Sequence, residues 1–127
     1  MALRIKQIRK RDGRIVKFDK TKVTEAITKA LNATGEQDSV LAQKLADKVT
    51  EHLEIETPKN KIPNVEEVQD LVEHVLMAEG YSKVAKAYIL YRQERAKIRE
   101  AKALLGVQDD LKLTINAAKV LEKRYLR

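Results

Sequence analysis

The chain has 127 residues, a net charge of +7 from 26 Lys and Arg against 19 Asp and Glu, and no cysteine. Its length suits a single domain, and the lack of cysteine excludes disulfides, thiolate zinc sites and a cysteine nucleophile within this chain. No apolar run reaches the roughly 18 residues that a membrane span requires, and no signal peptide is recognisable. We therefore expect a cytoplasmic protein without a membrane partner.

The positive charge is concentrated at the N-terminus. Residues 1–22 carry nine basic residues and two acids, whereas the remaining 105 residues carry 17 of each sign and are neutral. A localised positive field indicates an anionic partner, which is a nucleotide, a nucleic acid or an acidic protein. A solvated basic edge that keeps a hairpin from aggregating explains the charge equally well.

The first predicted element is a β-hairpin. The apolar residues of "LRIKQIR", residues 3–9, predict a strand, and "IVKF", residues 15–18, predicts its return strand. Asp12-Gly13 between them is a strong signal for a hairpin turn. Most of the excess charge therefore lies on a short hairpin.

Four helices are predicted after the hairpin from apolar periodicity and capping residues. The first begins after Asp19, an N-cap residue, and the second covers residues 39–53. The third begins at Asn64, where Glu67 three residues later completes a capping-box pattern. The fourth runs from about residue 82 to residue 105.

The chain changes character after Gly106. The remaining residues predict a linker, a turn of extended chain and a helix from about Asn116, which reaches Arg127 without a stop signal. We therefore expect the chain to be a piece of a longer protein.

No catalytic arrangement is recognisable. The sequence has neither a Walker-type glycine–lysine loop nor a GxGxxG motif. His52 and His74 stand on separate predicted helices without metal-ligand spacing. The acid pair Glu66-Glu67 is explained by the preference of a helix start for negative charge. We expect no catalysis by this chain alone.

A candidate anion site remains at the hairpin. Lys10 and Arg11 occupy the predicted turn. Lys22, at about the third position of the first helix, interacts unfavourably with the helix dipole. A ligand anion bound nearby would compensate for this and would explain a lysine at that position. The N–H groups at this helix start are themselves anion donors.

The fourth predicted helix carries aromatic and basic residues on one face. Tyr88, Tyr91 and Arg95 follow each other at i, i+3 and i+7. A ring beside a guanidinium suits a purine and its phosphates. Core packing is the alternative explanation for the tyrosines.

Two stretches resemble the ATP-cone domain, the regulatory nucleotide-binding module at the N-terminus of many ribonucleotide reductases. They are "KRDGRIVKFDKTKVTEAITKAL", residues 10–31, and "AKAYILYRQER", residues 85–95, and the similarity covers about residues 3–100. The stretch "DDLKLTINAAKVLEKRYLR", residues 109–127, resembles the opening of the catalytic region of adenosylcobalamin-dependent (class II) reductases. We expect an ATP cone at residues 3–100 and the truncated start of a catalytic region at residues 106–127.

The resemblance implies an α+β fold, mainly α, in which a small N-terminal β-hairpin forms a lid over a four-helix bundle, followed by a C-terminal linker and helix. ATP or dATP, with Mg²⁺, would lie beneath the lid. The residues that match the family's nucleotide contacts are Ile8, Lys10, Arg11, Val16, Lys17, Phe18, Asp19, Lys22, Val23, Val65, Gln69, Tyr91 and Arg95.

Within this set, the resemblance assigns Lys10 and Arg11 to the phosphates, with which Arg95 can also pair. Lys22 matches the basic residue of the family's first helix, residues 16–22 match the segment that wraps the nucleotide, and Tyr91 matches an aromatic residue near the base.

Some positions depart from the family pattern. Asp19 stands where some members have asparagine, and Arg95 stands where others have lysine. Val65 and Gln69, which match positions near the base and ribose, replace threonine and histidine of some members, so we expect a more apolar contact with the base.

The function implied by the resemblance is allosteric control of a ribonucleotide reductase, an oxidoreductase of deoxyribonucleotide synthesis and DNA replication. ATP would activate and dATP would inhibit the parent enzyme. Adenosylcobalamin would belong to that enzyme, whose catalytic domain is the expected partner, together with a nucleotide-dependent oligomer.

Two alternatives come from other classes of protein that contain ATP cones. One is a nucleotide-responsive DNA-binding regulator of reductase genes, and the other is the cone of a small-molecule kinase. The regulator carries a Cys-rich zinc ribbon ahead of its cone, and this Cys-free chain has no room for one before Leu3, so we expect no nucleic-acid partner. The C-terminal segment argues against the kinase.

Overall fold

A computed structural model describes residues 3–105 of the chain. They form, in order, β1 (Gln7–Arg9), β2 (Ile15–Lys17), α1 (Lys20–Ala33), α2 (Ser39–Glu56), α3 (Val65–Ala78) and α4 (Ser82–Leu105). The predicted fold class, mainly α with a small N-terminal hairpin, is confirmed. The helix predicted from about Asn116 lies outside the described residues.

The described residues divide into two compact units, of which the first ends at Tyr88 and the second begins at Ile89. The first unit contains the hairpin, α1, α2, α3 and the first two turns of α4. The rest of α4 belongs to the second unit. Among residues 3–105, no helix combines the length and the apolar character that crossing a bilayer requires.

The hairpin pairs β1 with β2 in antiparallel register, with Ile8 opposite Val16. Both of these residues are half-buried, whereas their neighbours along each strand are exposed. One face of the hairpin is therefore apolar and partly covered, and the other faces solvent, as the period of two in a strand requires.

The hairpin turn is closed by two backbone hydrogen bonds, from Gly13 N–H to the Lys10 carbonyl (2.9 Å) and from Lys10 N–H to the Arg14 carbonyl (2.8 Å). Gly13 has φ +90°, a conformation that favours glycine. The Asp12 carboxylate accepts from Arg14 N–H at 3.0 Å and contacts the Arg14 guanidinium at 2.7 Å. The hydrogen bond from the Arg14 backbone N–H is the largest of the effects that lower the pKa of Asp12 from its ordinary value, and it keeps this carboxylate ionised.

The first strand is shorter than predicted, because residues 3–6 bind elsewhere. The Arg4 guanidinium donates to the carbonyls of Glu54 (2.7 Å) and Thr57 (2.8 Å), at the end of α2. Ile5 N–H donates to the Glu54 carboxylate at 2.8 Å, and the Ile5 side chain is buried. A cation at a helix C-terminus satisfies carbonyls that have no partner within the helix. The N-terminal arm is thus anchored to α2 before the hairpin begins.

Capping side chains set the helix starts. Asp19 accepts from Thr21 N–H at 3.0 Å, as predicted for the N-cap of α1. Asn64 accepts from Glu67 N–H at 2.9 Å at the start of α3. The Glu67 carboxylate accepts in return from the Asn64 side-chain amide at 3.2 Å, whereas the usual capping box uses the backbone N–H of the cap.

The core of the first unit lies where α2 packs between α1 and α3. Leucine, isoleucine and valine supply most of it, and Tyr88 on α4 is also buried, at 3% exposure. For Tyr88, core packing is therefore the role that the structure shows. The largest fully buried side chains are Ile27, Leu31, Leu45, Leu76, Val49, Val72, Val75 and Pro63.

Asn64→Ala is expected to lower the free energy of unfolding by about 1 kcal/mol, because the Glu67 N–H loses its acceptor at the start of α3. Chemical denaturation followed by circular dichroism measures the change. Asn60→Ala, in the exposed turn before α3, is the control and should change little. Equal stabilities of the two variants would contradict the capping role.

Candidate functional site

The basic hairpin lies beside the starts of two helices. Arg9 N–H donates to the Pro63 carbonyl at 2.9 Å, and Arg9 forms a parallel bridge with Asn64, the cap of α3. On the other side, only Phe18 and Asp19 separate β2 from α1. The N-terminus of a helix carries a partial positive charge and outward N–H groups, so the start of α1, whose first turn contains no acid, adds to the positive field of the hairpin. At the start of α3, Glu66 and Glu67 offset this charge.

Arg11 connects the hairpin turn to α3. Its Nε lies 2.7 Å from Glu66 Oε1, and its guanidinium donates to Gln69 Oε1 at 3.0 Å. Val65, the first residue of α3, is half-buried. The structure therefore brings together three of the residues predicted to bind nucleotide, Arg11, Val65 and Gln69, on one edge of the first unit.

Seven of the nine basic residues in residues 1–22 fall into two groups. Four of them pair with carboxylates: Arg4 with Glu54, Arg11 with Glu66, Arg14 with Asp12 and Lys20 with Asp47. Within residues 3–105, in contrast, Lys10, Lys17 and Lys22 form no ion pair with any acid. Lys10 is half-buried, and the other two lysines are exposed. No carboxylate of the described residues pairs with these lysines, and we expect their charge to attract an external anion.

Lys22 is unfavourable where it stands. It is the third residue of α1, and the first turn of α1 contains no acidic residue. A cation in the first turn of a helix is destabilised by roughly 0.3–1 kcal/mol through the helix dipole. A bound anion would offset this cost. Lys22 is therefore a candidate for binding an anion rather than for stabilising α1.

The apolar candidates differ in burial. Ile8, Val16 and Phe18 are half-buried at the hairpin and its exit, where they leave apolar surface for a ligand. Val23 is only 7% exposed and belongs to the buried stripe of α1. Asp19 uses its carboxylate to cap α1.

Tyr91 and Arg95 belong to the second unit. They stand one turn apart on α4, where Tyr91 is half-buried and Arg95 is exposed. Their assignment to a nucleotide site stays a prediction.

A separate cavity of about 420 Å³ opens where α2 ends and α3 begins. It is lined by Leu53, Glu56, Thr57, Pro58, Lys61, Glu67, Asp70, Leu71 and His74. The ring of His74 meets that of His52 edge-on, with centroids 6.1 Å apart, a proximity that the sequence did not predict. Among residues 3–105, no group of three or more His, Cys, Asp or Glu residues is placed to hold a metal ion.

The sequence matches the ATP cone domain over residues 6–97, which is more than half of the chain. The chain belongs to the ATP-cone family. The family predicted from the hairpin and α4 motifs is therefore confirmed.

Ribonucleotide reductases are among the relatives of this ATP cone. It is 50% identical over 127 residues to the vitamin B12-dependent ribonucleoside-diphosphate reductase of Thermoplasma acidophilum, covering 96% of this chain and 16% of that protein. It is 42% identical over 120 residues to the protein of the same name from Mycobacterium tuberculosis, with 94% and 17% coverage. A ribonucleoside-diphosphate reductase subunit alpha from Chlamydia pneumoniae is 38% identical over 106 residues, with 79% and 10% coverage. The chain thus spans about a sixth or less of the length of these relatives.

Sequence reasoning missed one residue at the edge of the site. Glu66 in the first turn of the cone's third helix reads as an ordinary helix-start acid, yet its carboxylate contacts Arg11 across 55 positions of sequence. The local pattern of charges carried no signal for this pairing, because an acid at that position already satisfies the helix dipole.

Proposed function

We propose that this ATP cone binds ATP and dATP and is the allosteric domain of an adenosylcobalamin-dependent ribonucleotide reductase. The observation that carries the proposal is a set of lysines without a carboxylate partner in the described part of the chain, Lys10 and Lys17 on the hairpin and Lys22 in the first turn of α1. The names of the relatives support the choice of parent enzyme.

Each group of residues has a proposed role. Lys10, Lys22 and Arg11 bind the triphosphate through charge-assisted hydrogen bonds, and Lys17, on the solvent-facing side of β2, adds to the positive field. The apolar surface of Ile8, Val16 and Phe18 contacts the ligand's uncharged part. Val65 and Gln69 lie near the base and ribose. For Tyr91 and Arg95, the family resemblance alone supports a contact with base and phosphate.

Mg²⁺ would arrive on the phosphates of the nucleotide. Residues 3–105 offer no cluster of His, Cys, Asp or Glu that could hold it independently, and Mg²⁺ in nucleotide sites is commonly held through substrate phosphates. Adenosylcobalamin and the cysteines needed for reduction would belong to the rest of the parent enzyme, whose catalytic region we propose to begin within residues 106–127.

The proposed mechanism is a coupling free energy between the cone and the catalytic region. ATP and dATP differ only at the 2′-hydroxyl. A site rejects the absence of a hydroxyl strongly only when it is built to hydrogen-bond that group, and Val65 and Gln69 provide few such groups. Opposite effects on the parent enzyme would then come from different assemblies or conformations, each favoured by one nucleotide.

Calorimetric titration tests the proposal. We expect ATP and dATP, each with Mg²⁺, to bind with micromolar dissociation constants, which correspond to binding free energies on the order of −7 to −8 kcal/mol. The two dissociation constants should differ by less than about tenfold, or roughly 1.4 kcal/mol. Absence of heat and of any NMR chemical-shift change at near-millimolar nucleotide would refute the binding function. A preference above about a hundredfold for one nucleotide would refute the shared-site mechanism.

The runner-up is a DNA-binding regulator, which the excess of seven positive charges in residues 1–22 favours. On our proposal, duplex DNA binds weakly and with a steep salt dependence, as a basic patch without base contacts does. Tight binding of one DNA sequence at physiological salt would support the regulator instead.

A further inference from the structure

We infer that Glu66 is a built-in competitor for the triphosphate: it holds the Arg11 guanidinium on α3, so that a nucleotide gains Arg11 only by displacing a carboxylate. This inference rests on the proposed function, because it concerns the regulation of the same site.

The contacts of Arg11 carry the inference. The Arg11 Nε lies 2.7 Å from a Glu66 carboxylate oxygen, and the same guanidinium donates to the Gln69 side-chain carbonyl at 3.0 Å. A guanidinium offers a planar fork of donors that fits carboxylate and phosphate oxygens alike. The Glu66 carboxylate therefore occupies donors on Arg11 that a phosphate would use.

Lys10, Lys17 and Lys22 have no competing carboxylate in the described part of the chain. These lysines can attract an incoming anion without breaking an ion pair, whereas Arg11 cannot. A nucleotide can therefore contact the lysines without competition, whereas at Arg11 its phosphate competes with the Glu66 carboxylate.

The exposure of the pair shows that it can be displaced. The side chains of Arg11 and Glu66 are 37% and 49% exposed. A solvent-exposed ion pair contributes little stability, whereas a buried pair would be strongly destabilised by the loss of one partner. A triphosphate carries several negative charges, whereas Glu66 carries one, so the triphosphate displaces Glu66 from the guanidinium. A ligand with fewer phosphates displaces it less well.

Displacement at Arg11 also changes Gln69. The Gln69 carbonyl accepts from Arg11, so departure of the guanidinium releases the amide that we place near the ribose. Binding of the phosphate and formation of the ribose contact are therefore linked through Arg11. Because Glu66 competes for Arg11, only a ligand with enough negative charge displaces it and allows both contacts to form.

Three versions of the full chain test the role of Glu66: wild type, Glu66→Gln and the control Glu79→Gln. Glu79 is the C-cap residue of the same helix and pairs with Lys48 at 2.9 Å, so its substitution also removes one negative charge and one ion pair. Calorimetric titration with ATP and with ADP should show about threefold to tenfold tighter binding of ATP by Glu66→Gln, at least as large a gain for ADP, and less than a twofold change in Glu79→Gln.

The NMR signal of the Arg11 Nε–H reports the pair itself. Without nucleotide its exchange with water should be a few-fold slower in wild type than in Glu66→Gln, and ATP should shift it in both proteins. Unchanged or weaker ATP binding by Glu66→Gln, beside a normal Glu79→Gln, would overturn the competitor role and leave nucleotide binding intact. If wild type and both variants bound no nucleotide, the proposed function would fall and this inference with it.

Discussion

Leu45→Ala is expected to lower the free energy of unfolding by about 2–5 kcal/mol. Leu45 is 2% exposed near the middle of α2, the helix that packs between α1 and α3. Truncation removes most of a buried apolar side chain and leaves a cavity that the surrounding structure only partly closes. Because a domain of this size is stable by roughly 5–15 kcal/mol, this one change removes a large share, which urea denaturation followed by circular dichroism would measure.

Two control variants make the measurement specific. Leu45→Met keeps the side-chain volume and should cost less than about 1.5 kcal/mol. Val40→Ala, on a side chain that is 62% exposed in the first turn of α2, should change stability by no more than about 0.5 kcal/mol. A loss for Leu45→Ala no larger than that for Val40→Ala would show that α2 is not the centre of the core.

The helices were predictable because their signals are local. Asp19 and Asn64 lie directly before the helices that they cap, and α4 has the predicted bounds, Ser82–Leu105. Apolar periodicity and capping act within a few residues of each other. The end of α2 was predicted less well: the helix continues to Glu56, three residues past the predicted bound.

The contacts that build the site are long-range, and no local pattern predicts them. Arg4 reaches Thr57 across 53 positions, and Arg11 reaches Gln69 across 58. Alternation in "LRIKQIR" predicted strand throughout, but the anchoring of Arg4 and Ile5 to α2 limits β1 to Gln7–Arg9. The sequence predicted the charged residues of the candidate site, whereas the partners of Arg4 and Arg11 required the fold.

Lys10→Ala and Lys22→Ala are each expected to weaken ATP binding by about tenfold or more. Each substitution removes a charge-assisted hydrogen bond to phosphate, worth roughly 1.5–3 kcal/mol. Neither lysine pairs with a carboxylate in the described part of the chain, so their loss breaks no ion pair there. Stability without nucleotide should therefore barely change for Lys10→Ala and rise slightly for Lys22→Ala, whose lysine opposes the dipole of α1.

Lys44→Ala separates a phosphate contact from a general loss of positive charge. Lys44 is an exposed residue of α2, so its substitution changes the net charge by the same amount. If long-range attraction alone held the nucleotide, all three variants would lose affinity equally, and the losses would disappear at high salt, where exposed charges are screened beyond a few ångströms. If Lys10 and Lys22 bind phosphate directly, their variants keep a deficit relative to Lys44→Ala at high salt. If Lys10→Ala and Lys22→Ala both lost stability but kept their affinity for ATP, these lysines would stabilise the fold and the proposed phosphate site would be wrong.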